Sequence, residues 1–145
     1  LTLNNANLPA VSELNQSDLA SLYSQALYAW SIDAGEQLAG FCLILPPGVP
    51  YASKNYQWVS ERYHDFHYLD RIVIYEDFRG RGLGRMFYQR WFALAGTKPL
   101  LIEVNTKPRN EGSIQFHEKM GFRSVGEQAF DGDQKRVQYR ARTHD

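Results

Sequence analysis

The residues best placed to do chemistry lie in one short run, Arg79-Gly80-Arg81-Gly82-Leu83-Gly84-Arg85. It follows the apolar, β-branched stretch Ile72-Val73-Ile74 through Tyr75-Glu76-Asp77-Phe78. It leads into Leu83, Met86, Phe87, Trp91 and Leu94, which recur at helical spacing. A strand, a glycine loop and a helix in that order make an anion site. Glycines let the backbone approach a ligand closely and turn its amides inward. The helix N-terminus adds free N–H donors and a partial positive charge. Arg79, Arg81 and Arg85 add full charges, so the run suits a polyanion such as a pyrophosphate.

The loop alone admits several ligands. A Walker loop ends in Gly-Lys-Ser/Thr, whereas this one ends in Gly84-Arg85-Met86. A dinucleotide fingerprint needs a third glycine, and that place holds Arg85 counted from Gly80 or Phe87 counted from Gly82. Glu103 does lie about 20 residues downstream, as a ribose-binding acid would. An ordinary turn rich in arginine and glycine is the bland alternative. Metal chemistry has little support. His64 and His67 flank Asp65 but have no third ligand at useful spacing, so exposed loop histidines are expected. The single cysteine, Cys42, excludes an intramolecular disulfide and a multi-cysteine metal site, and it suits a reducing cytoplasm.

The elements that must position the loop follow from pattern. The 145 residues, 43% of them hydrophobic, suffice for one domain, 1–145, with its own core. Leu8 to Leu14 reads as an opening strand, and Asn15 or Ser17 caps a helix to about Ser24. Ala26 to Ile32 and Leu38 to Leu45 form a hairpin across Asp33-Ala34-Gly35-Glu36. The prolines of Pro46-Pro47-Gly48-Val49-Pro50 mark a loop. Asn55 to Tyr63 reads as a short helix and Phe66 to Tyr75 as a strand. Gly96 and Pro99 end the helix after the glycine loop, and Leu100 to Val104 is a strand. Asn110 caps a further helix that Gly121 stops. Arg123 to Phe130 and Arg136 to Ala141 bracket Asp131-Gly132-Asp133 as a second hairpin. About seven strands and three or four helices in mixed order give an α/β or α+β domain. The 16 basic and 16 acidic residues balance, which argues against nucleic acid or an anionic membrane as partner. No run approaches the roughly 18–20 apolar residues of a membrane span, and the N-terminus lacks a signal-peptide pattern.

A second string completes the pattern: Asn110-Glu111-Gly112-Ser113-Ile114-Gln115-Phe116-His117-Glu118-Lys119-Met120-Gly121-Phe122. Together these residues resemble the Gcn5-related N-acetyltransferase (GNAT) superfamily. Arg79, Gly82 and Gly84 match its pyrophosphate motif, Gln/Arg-x-x-Gly-x-Gly/Ala. The Asn110 to Phe122 helix matches its later signature, and the two motifs cover Tyr68 to Phe122. The resemblance implies a GNAT-like mixed, mostly antiparallel sheet, splayed between two central parallel strands. These are Leu69 to Ile74 and Leu100 to Val104. It implies acetyl-coenzyme A as co-substrate, no metal, and an acyltransferase acting on a primary amine of a small molecule or peptide. Pantetheine would pair with the backbone of Ile72, Val73 and Ile74, and pyrophosphate would sit on Gly80 to Arg85. Family members often dimerise, so a homodimer is one assembly the resemblance allows.

Acetyl transfer needs an ammonium stripped of a proton, a donor for the oxyanion and a donor for the leaving thiolate. The family often has a tyrosine four residues before the glycine of Gly-Phe, and here that position is His117. Neutral imidazole can still donate one N–H to the coenzyme sulfur, and packing beside Phe116 is the alternative. Glu103 and Asp70 are the candidate bases, with salt bridges as the competing role and Arg71 or Arg123 as partners for Asp70. Asn110 caps its helix or touches the coenzyme, while Ser113 and Phe116 face the pantetheine. Tyr51, Tyr56, Trp58, Tyr63, Phe66 and Tyr68 form either an acceptor wall or packing. Because of the histidine, a coenzyme A-binding regulatory protein with a degraded acceptor site is the competing function. A nucleotide-binding module is the third.

Overall fold

The computed structural model describes residues 16–143, with side chains from residue 19. The first described element is helix α1, Gln16–Gln25. The expected strand over Leu8 to Leu14 and the cap at Asn15 lie outside the described residues, and Ser17 falls within the helix. Strands β1 (Tyr28–Ala34) and β2 (Gln37–Leu45) form the first hairpin, turning at Gly35 with φ 65°. Helix α2 (Lys54–Arg62) starts where the Ser53 side chain accepts from the Tyr56 amide at 3.2 Å. Strand β3 (His67–Ile74) leads through a 3-10 turn (Glu76–Phe78) into α3 (Leu83–Ala95). Strand β4 (Leu100–Lys107), helix α4 (Glu111–Lys119) and the hairpin β5 (Arg123–Phe130) and β6 (Lys135–Arg142) complete the order.

The six described strands form one sheet in the order β1-β2-β3-β4-β6-β5. Every pairing is antiparallel except that of β3 with β4. This is the mixed, mostly antiparallel α/β architecture that the resemblance implied, with six strands among the described residues where about seven were expected. The parallel pair is short: only His67↔Leu100 and Tyr68↔Leu101 are in register, after which the strands diverge. β3 also carries a bulge. Leu43 lies opposite Arg71 and Ile44 opposite Leu69, so Asp70 is the extra residue. A bulge bends its strand and re-aims side chains, here at the mouth of the V.

Each face of the sheet has its own core. Under α1 and α2 lie Leu22, Leu43, Leu45, Tyr56, Trp58, Val59, Tyr68, Leu101 and Tyr139. Under α3 and α4 lie Cys42, Ile44, Leu69, Phe87, Tyr88, Trp91, Leu100, Ile102 and Ile114. Burying each large apolar side chain contributes about 1.5–3 kcal/mol. The α3 stripe differs from the expected one. Met86 and Leu94 are exposed, while Phe87, Tyr88, Trp91 and Ala95 are buried. Position 88 replaces Met86 because Phe87, Tyr88, Trp91 and Ala95, at i, i+1, i+4 and i+8, share the helix face turned to the sheet. His67 is also not an exposed loop residue. It is buried in β3, where its Nδ1 accepts from Trp91 Nε1 at 3.0 Å; His64 is exposed. The aromatic run from Tyr51 to Tyr68 mostly packs. Tyr56, Trp58, Phe66 and Tyr68 are buried, and the Tyr56 hydroxyl fastens the proline loop by donating to the Pro46 carbonyl at 2.5 Å.

Candidate active site

The glycine loop closes over the N-terminus of α3. Gly80 and Gly82 adopt left-handed φ of 78° and 77°, which explains glycine there. Gly84 has no such need: its φ is ordinary, and a Cβ on it would meet nothing within 4 Å. A side chain at 84 is therefore excluded by nothing in the protein, which leaves room for a ligand against the backbone. The first α3 amides have no intrahelical partner by the geometry of any helix. Arg79, Arg81 and Arg85 are exposed around them. Arg79 Nε donates to the Ile74 carbonyl at 3.1 Å, and the Arg81 guanidinium lies over the Phe78 ring, 5.5 Å from its centroid. The donor set fits a pyrophosphate.

Beyond the loop, the V between β3 and β4 opens into a cavity of about 180 Å³. Asp70, Arg71, Ile72, Tyr88, Glu103, Asn110, Ser113 and His117 are among the residues that line it. The structure thus gathers Asp70, Glu103, His117, Asn110 and Ser113, which are spread over 48 positions of sequence, around one space. Phe116 is not part of that lining. It packs on Tyr88 and His117, with ring centroids at 5.4 and 5.3 Å. Asn110 caps α4, its Oδ1 accepting from the Ser113 amide at 3.2 Å, and also lines the cavity.

The two carboxylates have different surroundings. Asp70 is buried in an ion pair, with Arg71 Nε 2.6 Å from its Oδ2 and both side chains nearly inaccessible. Arg71 also donates to the Tyr51 hydroxyl at 3.4 Å. Glu103 lies on the α1/α2 face, since strand alternation puts it with Leu101 and its Oε2 accepts from Tyr68 at 3.0 Å. Burial, and then the negative charge of Asp70, push its carboxyl up from 4.5 to about 7; the Tyr68 bond and the charges of Lys135 and Arg71 pull the other way.

His117 is buried, and burial holds its imidazole below the usual value, with Arg140 adding to the effect. Its Nδ1 is 2.7 Å from the Ser113 carbonyl, which only accepts, so Nδ1 carries the proton. Nε2 then accepts from the Tyr88 hydroxyl at 2.5 Å. Both ring nitrogens are engaged, and no His117 N–H faces the cavity. Tyr88 is the site residue that sequence reasoning did not single out; Arg71 is the ion-pair partner it offered for Asp70, and Tyr68, one of its aromatic run, is the hydrogen-bond donor to Glu103. The available signal was Tyr88 itself, since a buried tyrosine requires a partner for its hydroxyl.

A second, larger cavity of about 580 Å³ opens on the α1/α2 side. It is framed by Gln25 on α1, Tyr51, Lys54 at the start of α2, and Asp131 and Lys135 of the β5–β6 hairpin. Tyr51 connects it to the Asp70–Arg71 pair. Among the described residues no group of three or more His, Cys, Asp or Glu could hold a metal ion. No described helix is long and apolar enough to cross a membrane.

Comparison with known proteins agrees with the fold. The structure is similar to that of Chaetomium thermophilum Naa20 in complex with a bisubstrate analogue, at TM-score 0.73 and 13% identity, over 99% of this chain and 80% of that one. It is similar to Arabidopsis thaliana Naa50 in complex with the bisubstrate analogue CoA-Ac-MVNAL, at TM-score 0.73 and 13% identity, over 99% and 89%. It is also similar to Arabidopsis thaliana NAA60 in complex with acetyl-CoA, at TM-score 0.70 and 15% identity, over 99% and 91%. At these identities the likeness is one of fold. A comparison of the sequence with curated proteins finds no match. The sequence profile of the acetyltransferase (GNAT) family, however, matches residues 4–122. With that match across most of its length, on the fold just described, the chain belongs to the acetyltransferase (GNAT) family and is an acyltransferase.

Proposed function

We propose that residues 1–145 act as one acetyl-coenzyme A-dependent N-acetyltransferase domain, transferring acetyl to a primary amine of a small molecule or peptide in the cytoplasm. The observation that carries this reading is the place of Glu103, which lines the cavity that opens where β3 and β4 part and whose carboxyl burial raises to about 7. A general base works best with a pKa near the operating pH. Bound acetyl-coenzyme A supplies an acetyl thioester. Gly80 to Arg85 hold its pyrophosphate through amides, the helix N-terminus and the arginines. The edge of β3 that leaves β4 after Tyr68 offers the free backbone groups of the Ile72, Val73 and Ile74 stretch, which alternate between β2 and the V, to pantetheine and to the oxyanion. Asn110 and Ser113 border the same space.

The amine enters from the other face, through the larger cavity and past Tyr51. Asp70, paired with Arg71, fixes that guanidinium and through it the Tyr51 hydroxyl beside the entry. Glu103 accepts the ammonium proton, directly or through water, and the freed amine attacks. A regulatory protein that binds coenzyme A without an acceptor would share the loop but would not need a base near neutrality. The test is a broad amine screen with acetyl-coenzyme A. Release of free thiol with at least one amine supports the enzyme. Thermal stabilisation by acetyl-coenzyme A with no thiol release from any amine favours the regulatory reading. Stabilisation by a dinucleotide but not by coenzyme A would overturn both.

A further inference from the structure

We propose that the hydroxyl presented to the coenzyme sulfur belongs to Tyr88, and that Ser113 and His117 control where its proton points; this rests on the acetyltransferase reading above. The donor expected from α4 is His117, yet its ring nitrogens are spent on Ser113 and Tyr88. Tyr88 lines the cavity at the V and reaches it from α3.

A neutral imidazole has one N–H and one acceptor nitrogen, so the chain Ser113–His117–Tyr88 has two arrangements. In the first, Nδ1–H donates to the Ser113 carbonyl at 2.7 Å, and Tyr88 donates to Nε2 at 2.5 Å. The Tyr88 proton is then turned away from the cavity. In the second, reached when the ring exchanges its proton through cavity water so that it leaves Nδ1 and returns on Nε2, Nδ1 accepts from Ser113 Oγ, 3.3 Å away, and Nε2–H donates to the Tyr88 oxygen. That arrangement frees the Tyr88 proton to donate into the cavity. The ring need only tilt from the Ser113 carbonyl toward the hydroxyl, because both are within reach of Nδ1. The shorter bond makes the first the resting state. Negative charge building on the sulfur favours the second.

The ring stays neutral because burial and the nearby Arg140 guanidinium disfavour its cation. Arg140 is itself engaged by Glu118 at 3.2 Å and by the Phe122 carbonyl at 3.0 Å. Burial likewise keeps Tyr88 protonated. Tyr88 therefore donates a hydrogen bond and does not give up its proton. The C–S bond breaks, the thiolate leaves carrying that hydrogen bond, and the proton of the amine goes to the base side of the V.

The experiment titrates the thiol of bound coenzyme A by the ultraviolet absorbance of its thiolate, without acceptor and without turnover. The chain's own thiol is silent, since burial pushes Cys42 up to about 12. In the wild type the bound thiol should ionise below free coenzyme A. Tyr88→Phe should raise it by about 1 to 2 pH units, the worth of one hydrogen bond to a charged group, with coenzyme affinity within about twofold. Ser113→Ala should shift it the same way, because the ring proton is then locked on the Ser113 carbonyl; it carries the test alone if Tyr88→Phe does not fold. His117→Ala should shift it less, since it leaves the Tyr88 hydroxyl in place. A large shift with His117→Ala and none with Tyr88→Phe overturns the proposal and makes His117 the donor. No shift with any of the three overturns it too. Failure of the wild type to bind coenzyme A, visible as no gain in melting temperature, sinks the acetyltransferase reading itself.

Discussion

Replacing Glu103 with glutamine tests the base and its environment together. Glutamine keeps the shape and an oxygen for the Tyr68 hydroxyl, and removes only the charge. Raising the carboxyl from 4.5 to about 7 at 1.36 kcal/mol per pH unit corresponds to about 3 kcal/mol. The sign follows from proton counting. The folded chain holds the Glu103 proton up to about 7, whereas the unfolded chain releases it near 4.5. Between those values the folded state binds more protons, so stability falls as pH rises; above about 7 the whole cost is present. Urea unfolding of wild type and Glu103→Gln from about pH 4 to about pH 8 measures this directly. The stability of the variant relative to wild type should grow by about 3 kcal/mol and level off near neutrality. In the same variant, turnover should fall by about 10²- to 10⁴-fold and lose a titration near 7. A stability difference that does not change with pH would refute the account of the Glu103 environment. Unchanged turnover would refute its role as base.

Two further outcomes follow from the glycines. Gly84→Ala needs no unusual backbone and meets no neighbour, so its melting temperature should stay within about 2 °C of wild type. Its affinity for coenzyme A, measured by calorimetry, should nevertheless drop by about tenfold or more; unchanged affinity would remove the loop from the site. Gly126→Ala should cost about 1–3 kcal/mol in urea unfolding. Its methyl group would run into the Trp58 ring, which is stacked on Tyr139 at 4.1 Å.

The sequence made the backbone of this site readable where the signals are local. The hairpin turns at Gly35 and at Asp131-Gly132-Asp133, the Asn110 cap and the left-handed Gly121 are all set by neighbouring residues. So is the glycine loop, whose arginines and glycines act within one turn of helix. What escaped was non-local. Asp70 is a bulge only because Leu43 and Ile44 of another strand fix the register. The Tyr88–His117 bond joins two helices 29 residues apart in sequence, and no periodicity along either helix encodes it. β4 runs on to Lys107, past the apolar stretch that marked it, because Asn105 and Lys107 pair with β6 through their backbones and not through buried side chains. His67 looked like a polar loop residue, and its burial depends on Trp91 supplying the partner.

The seam between β3 and β4 has a mechanical consequence. With two residue pairs in register, the sheet is two three-stranded panels, β1-β2-β3 and β4-β6-β5, fastened at one corner. A molecule lodged in the V touches both panels and acts as the missing fastener. Its binding free energy should therefore appear as slower amide exchange on strands of both panels. A ligand held by the glycine loop alone would quiet only α3 and its approach.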